Sequence, residues 1–268
     1  MAAADWIDIA RMDDLARLDT PLHRVDARAK AIVTLAFVAV VMSFPSHDLS
    51  ALTPLLLYPV ALIGLGRIPP GAIARKLLVA APFVLFVGIF NPLLDREPAA
   101  RVGPVVISGG WLSFASIMFR FVLTVGAALA MIACTGMYRL GAGLERLAVP
   151  RVFVVQMLFL HRYLFVVSDE AFRILRGVHL RGGSARSLSL RVYGSLVGQL
   201  LLRSMDRADR IYRAMVARGF DGQVRLMRQP TFRWTDAAFV AGWLGFFVAA
   251  RVWNLADALG GILTGGAT

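Results

Sequence analysis

The chain has 268 residues, 58% of them hydrophobic and 17% charged, with a formal net charge of +12. Soluble domains are about half apolar and carry about a quarter charged residues, so the composition points away from a soluble domain and toward an integral membrane protein. A single cysteine, Cys134, leaves no partner for an intrachain disulfide or a cysteine-rich zinc cluster.

Read from the N-terminus, acids and bases alternate through Asp13, Asp14, Arg17, Asp19, Arg24, Asp26 and Arg28, with no apolar core of a cleavable signal peptide. Residues 1–28 are expected as a cytoplasmic segment, and the first apolar run as an uncleaved span. A span takes roughly 20 mostly apolar residues. Four runs approach that length before residue 139, namely 29–44, 49–66, 77–94 and 111–138, and a fifth, 237–255, comes late in the chain. The turns between the first four are punctuated by Pro and Gly in "FPSHD", "GRIPPG" and "NPLLDREP".

Loop charges orient the spans. Arg24, Arg28 and Lys30 flank the first, and Arg67, Arg75 and Lys76 fall between the second and third. Both sets read as cytoplasmic, whereas the loops at His47–Asp48 and 95–110 carry no basic excess and read as external. Four spans then return the chain to the cytoplasm at Arg139, and the fifth carries the C-terminus out. The stretch "VFVVQMLFLHRYLFVV" (152–167) is apolar enough for a sixth span but contains His161 and Arg162. A central Arg is costly in a bilayer, so this stretch is expected along the inner surface or packed under the bundle.

Residues 139–233 hold 17 arginines, no lysine and six acids, nearly all of the net charge. In a membrane protein the positive-inside rule accounts for such a block, and no nucleic-acid partner is expected. The block repeats itself at an offset of 37 residues: "DEAFRILRGVHLRG" (169–182) and "DRADRIYRAMVARG" (206–219) agree at seven of fourteen positions. Each copy reads as a helix end. Asp169 precedes Arg173 by four residues and Asp206 precedes Arg210 likewise, the favourable order for an ion pair along a helix. Arg181 and Arg218 are expected in the last turn, at the negative end of the helix dipole. Gly182 and Gly219 follow as left-handed caps. Upstream of the second end, Tyr193, Val197, Leu200, Leu201, Ile211 and Met215 recur on one face, with Arg203, Arg207 and Arg210 on another. Arg with Gly is ordinary helix-stop chemistry, but two such ends in one block suit docking of fixed guanidinium groups on carboxylates of a partner.

Other chemistry is sparse. His23, His47, His161 and His179 are scattered without a ligand at i+3 or i+4, so no metal site is expected on this chain. "GGWLSF" and "GAGLER" lack the Lys-Ser/Thr of a phosphate-binding loop, so ATP is not expected here. Arg120, a third of the way into the fourth run, is a functional candidate by position; pairing within the bundle or snorkelling is the simpler expectation. No Ser-His-Asp or paired-carboxylate arrangement stands out.

These residues resemble a known family. The long basic segment with two Arg-Gly ends, the opening "TPLHRVDARAK" (20–30), "LERLAVPRVF" followed by "HRYLFVVSDEAFR", and above all "LLLRSMDRADRIYRAMVARGFDG" (200–222) are similar to the transmembrane T component of energy-coupling factor transporters, in its cobalt branch, the CbiQ type. The resemblance covers roughly residues 18–255. It implies an all-α polytopic membrane protein with about five spans. Residues 29–138 would hold four of them, 139–233 a cytoplasmic coupling domain, and 234–268 the last span and an external C-terminus. It implies a non-catalytic subunit of the bacterial inner membrane that joins a pair of ABC ATPases to a separate substrate-binding membrane subunit, with an accessory small membrane subunit as a further partner. ATP would be hydrolysed by the ATPases and cobalt ion handled by the partner. The two coupling motifs, usually Ala-Arg-Gly, map to Ala217-Arg218-Gly219, a full match, and Leu180-Arg181-Gly182, where Leu replaces the small residue. Alternatives are a T component for nickel or another micronutrient, a conventional ABC permease forming its own substrate path, and a membrane enzyme. The permease would need one coupling loop and a polar route, and the enzyme convergent titratable groups; the sequence offers neither.

Overall fold

The structure, a computed structural model, describes residues 16, 18, 20–45, 49–94, 98–102, 105–180, 189–222 and 232–252. Over these residues the chain is helical apart from one short hairpin. A one-turn helix α1 (Pro21–Arg24) leads into α2 (Ala27–Ser43), followed by a turn α3 (Leu49–Leu52), a 3-10 turn (Thr53–Leu56) and α4 (Leu57–Gly66). Next come α5 (Pro70–Gly88), α6 (Phe90–Leu94), the antiparallel strands β1 (Pro98–Val102) and β2 (Val105–Ser108), α7 (Gly109–Thr135) and α8 (Met137–Arg146). The last three helices are α9 (Arg151–Leu180), α10 (Leu190–Ala217) and α11 (Trp234–Val252). Packing divides the chain into two units, Met1–Gly143 with Pro230–Thr268, and Leu144–Gln229.

Among the described residues four helical stretches are long and apolar enough to cross a membrane: Pro70–Pro92, α7, Arg151–Val178 and α11, with Ser50–Gly66 a shorter apolar helix. The protein is thus an all-α polytopic membrane protein. The third apolar run starts earlier than its hydrophobicity suggests. Pro70 occupies the first turn of α5, where a missing N–H costs nothing, so part of "GRIPPG" is helix rather than turn. The stretch 152–167 lies inside one unbroken 30-residue helix, and by length and apolarity Arg151–Val178 also qualifies as a span. The β1–β2 hairpin, paired from Pro98↔Ser108 to Val102↔Val105, has no counterpart in the sequence reading, which saw only a loop there.

The first unit is organised around an aromatic knot. Phe37 of α2, Tyr58 of α4 and Phe247 of α11 are essentially inaccessible. The Tyr58 ring lies 4.8 Å from Phe37, 5.5 Å edge-on from Phe247 and 4.9 Å edge-on from Trp243, the offset and T-shaped arrangements that ring quadrupoles favour. Its hydroxyl is satisfied within the bundle. Thr34 Oγ1 gives its one proton to Lys30 O at 2.8 Å, so Tyr58 donates to Thr34 Oγ1 at 2.7 Å. On α7 the buried residues Ser116, Leu123, Ala127, Ala130 and Cys134 form a seam at helical spacing, and small side chains along it admit close helix approach. By contrast Leu78, Val79, Phe83 and Phe86 of α5 are largely exposed. Such a continuous apolar surface suits lipid rather than water.

Candidate functional site

The second Arg-Gly end closes α10 in a defined way. Arg218 is the C-cap residue (φ −94°, ψ 10°) and Gly219 adopts φ +79°. The Gly219 N–H donates to Val216 O at 2.9 Å and the Phe220 N–H to Met215 O at 3.0 Å. This is the Schellman pattern, which satisfies two carbonyls the helix would otherwise leave orphaned. Arg218 therefore sits one step beyond the last helical residue, Ala217, rather than within the last turn. Phe220 folds back, with its ring 6.2 Å from that of Phe159 on α9. The backbone of the tip is pinned by apolar contact, while Ala217, Arg218 and Gly219 are exposed. Among the described residues no ion pair or side-chain hydrogen bond engages the Arg218 guanidinium.

The first end is described only as far as Leu180, the last residue of α9, which is 82% exposed. Arg181 and Gly182 lie outside the described residues, so the structure does not bear on their geometry.

Where α9 and α10 meet, Glu170 is central. Its carboxylate, 18% exposed, accepts from Arg203 Nη1 at 3.0 Å and lies 3.6 Å from Arg207 Nη2. In the 37-residue repeat Glu170 and Arg207 occupy the same position. Val166 and Val167 of α9 and Arg203 and Ser204 of α10, at equivalent positions of the repeat, line one small cavity beside them. The two helices of the repeat thus touch one another close to the equivalent positions Glu170 and Arg207. Beyond this crossing Phe159, Tyr163, Val167, Ile211, Met215 and Phe220 line an apolar groove of about 460 Å³.

The expected pairs Asp169–Arg173 and Asp206–Arg210 do not form; the pair along α10 is Asp209–Arg213, at 2.8 Å. Sequence reasoning passed over Glu170, although opposite charges at one repeat position were a usable signal. The expected apolar face of α10 is present but not covered. Tyr193, Val197 and Leu201 are exposed, while Ile211 and Met215 line the groove.

The remaining candidates resolve into packing roles. Arg120 Nη2 donates to Phe44 O at 2.9 Å and Pro45 O at 2.6 Å, so it closes the C-terminal end of α2, as a cation at the negative end of a helix dipole should. Among the described residues its Nε and the Ser116 hydroxyl one turn earlier have no partner. His23 is buried with its Nδ1 2.6 Å from Thr20 Oγ1, and His161 stands edge-on to Phe165. His47 lies outside the described residues and the His179 side chain is not described. Among the described residues no three His, Cys, Asp or Glu side chains converge as a metal site would require.

The chain matches the family model described as CbiQ, cobalt transport protein, over residues 19–229. It is 28% identical to the energy-coupling factor transporter transmembrane protein EcfT of Heliobacterium modesticaldum, over 89% of this chain and 95% of that protein. It is 26% identical to the protein of the same name from Lactococcus lactis, over 88% and 94%. The cobalt transport protein CbiQ of Rhodobacter capsulatus matches at 31% identity over a shorter stretch, 32% of this chain and 36% of that protein. With a family match spanning the repeat, the crossing and the span-bearing helices before them, the chain belongs to the CbiQ cobalt transport family, among the transmembrane T components of energy-coupling factor transporters.

Proposed function

We propose that this chain is the coupling scaffold of an ABC-type energy-coupling factor importer. It carries no catalytic step of its own and transmits the motion of a pair of ABC ATPases to a separate substrate-binding membrane subunit. The observation that carries this reading is the crossing of α9 and α10 beside the equivalent repeat positions Glu170 and Arg207. In the sequence Arg181 and Arg218 follow the paired positions Glu170 and Arg207 by the same eleven residues. One crossing thus joins the two helices that lead to two like Arg-Gly motifs, which suits two like ATPases. Each tip offers an arginine able to form planar, bidentate contacts with carboxylates, and the Schellman cap at Gly219 fixes where Arg218 leaves the helix.

In this reading the basic block 139–233 and the N-terminus face the cytoplasm, the spans lie in the bacterial inner membrane, and ATP is bound by the ATPases. The cargo is cobalt ion, taken up by the partner subunit, in keeping with the family match. A small accessory membrane subunit completes the assembly.

The test is an Arg181→Glu, Arg218→Glu double variant expressed with the ATPases and the substrate-binding subunit. It should insert at the normal level yet lose ATPase co-purification and radiolabelled cobalt uptake. An intact complex with normal uptake would overturn the coupling role. Competition by nickel at equal efficiency would overturn the cobalt assignment alone.

A further inference from the structure

The opening motif TPLHRVDARAK, which the coupling tips leave without a role, folds into a buried polar joint at one end of the first unit. Five features meet there. Asp26 caps α2 by accepting the Arg28 N–H at 2.8 Å. Its own N–H donates to Asp236 Oδ1 at 2.9 Å, while Asp236 Oδ2 accepts the Arg233 N–H at 2.7 Å, so one carboxylate caps α11 and ties it to the start of α2. Lys30, with no accessible surface, donates from Nζ to Cys134 O at 3.2 Å and so closes the C-terminal end of α7. Arg139 of α8 donates to His23 O at 2.8 Å and Ala16 O at 3.3 Å. One turn on, Gly143 lies so close to α2 that a Cβ there would stand 3.0 Å from Ala27 Cβ and 3.3 Å from Arg28 N.

A buried lysine and two buried aspartates are expensive unless each is satisfied. Here every one is spent on joining a helix end. The helix so gripped, α8, continues through Leu144 into the second unit. We propose that Lys30, Arg139 and Asp236 are positioning residues for energy coupling: Arg139 ties the root of α8 to His23 O of α1, and Lys30 and Asp236 tie α2, on which Gly143 of α8 packs, to α7 and α11, so that load arriving through α8 moves the spans instead of being lost in a loose joint. This rests on the coupling role proposed above, but it assigns the joint a part that the Arg-Gly tips do not have.

The experiment uses the full complex in proteoliposomes, reading ATPase co-purification, ATP hydrolysis and cobalt uptake together. Arg139→Gln and Lys30→Met should keep the ATPases bound and hydrolysing, while uptake per ATP falls roughly tenfold, the scale of losing one charge-assisted hydrogen bond. A covalent replacement of the clamp separates coupling from mere stability. Ala27→Cys with Gly143→Cys, in a Cys134→Ala background that leaves no other cysteine, should restore uptake to Arg139→Gln when oxidised and lose it again when reduced. Should Arg139→Gln fail to accumulate, the cysteine pair in the otherwise unaltered chain decides: uptake that survives oxidation supports a clamp, and uptake abolished by oxidation refutes it. An unchanged uptake-to-hydrolysis ratio in an intact Arg139→Gln complex overturns the proposal. Loss of ATPase binding with the tip variants but not with these keeps the two readings apart.

Discussion

Reversing the charge of Glu170 should open the α9–α10 crossing, and reversing Arg207 as well should close it again. The structure sets the size of the effect. Glu170 is mostly covered, but the Arg203 and Arg207 side chains are 60% and 42% exposed, so both pairs must be discounted for solvent. At about 0.5 kcal/mol each they sum to about 1 kcal/mol, and Glu170→Gln should shift the crossing equilibrium about fivefold. Glu170→Arg also sets three cations together, bringing the loss to about 2 kcal/mol, roughly thirtyfold. A cysteine pair at Val167 and Ser204, which line the same small cavity at the crossing, reports closure as cross-linking rate in the full-length protein in detergent. The expected order is wild type, then Glu170→Gln, then Glu170→Arg, with the Glu170→Arg, Arg207→Glu double variant recovering part of the rate. Recovery stays partial because Arg203 then faces an arginine. Raised salt should compress the differences, since these are half-exposed charges. Equal cross-linking in all four proteins, or a double variant no better than Glu170→Arg alone, would refute the idea that this pair sets the crossing.

Gly219, at φ +79°, should tolerate Asn best, Ala less and Val least, with about 1 kcal/mol or more of strain for the non-glycine residues; graded ATPase co-purification in that order is the check. Phe220→Ala removes the ring packed on Phe159 and should cost about 1–2 kcal/mol for a half-buried aromatic, seen as faster proteolysis after the tip. Asp236→Asn keeps the shape but weakens the two backbone contacts, and should lower the thermal midpoint in detergent by an amount equal to about 1–2 kcal/mol. Arg120→Met leaves Phe44 O and Pro45 O without their donor and should destabilise by about 2–3 kcal/mol, whereas Arg120→Lys, with a shorter reach and no fork, should recover only part of that.

The span-bearing half was legible because a bilayer imposes a simple requirement. Long apolar runs must be helices with all backbone groups paired internally, so the helices over 70–92, 109–135 and 234–252 follow from composition, whereas composition did not mark Arg151–Val178 as long and apolar enough to cross. What composition cannot convey is how the ends are tied. Lys30 counts as a flanking positive charge in a loop-charge argument, yet it is wholly buried and bonded to Cys134 O. Asp236 stands just before the last apolar run with nothing in its neighbours to single it out, yet it links two helix starts 210 positions apart. Such contacts depend on which helix ends the fold brings together, and nothing local in the chain encodes that. Arg120 is the intermediate case: a lone cation in a span must find acceptors within reach, but only the fold shows that they are the two carbonyls that follow α2, Phe44 O and Pro45 O.

The repeat shows how far a sequence can go when physics is applied to it twice. Its first use, as two helix stops, reached the cap: Gly219 is left-handed and Arg218 is exposed beside it. A second use was open and not taken. If two similar helices pack against each other about a local two-fold axis, residues at the axis meet their own equivalents. Identical charges there would repel, so the crossing must fall where the copies differ in sign or are small. Within the aligned fourteen residues only one position pairs an acid with a base, Glu170 with Arg207, and that is where the helices cross. The sequence identities marked what the two tips share, while the one opposite-charge difference marked how the helices that carry them are joined.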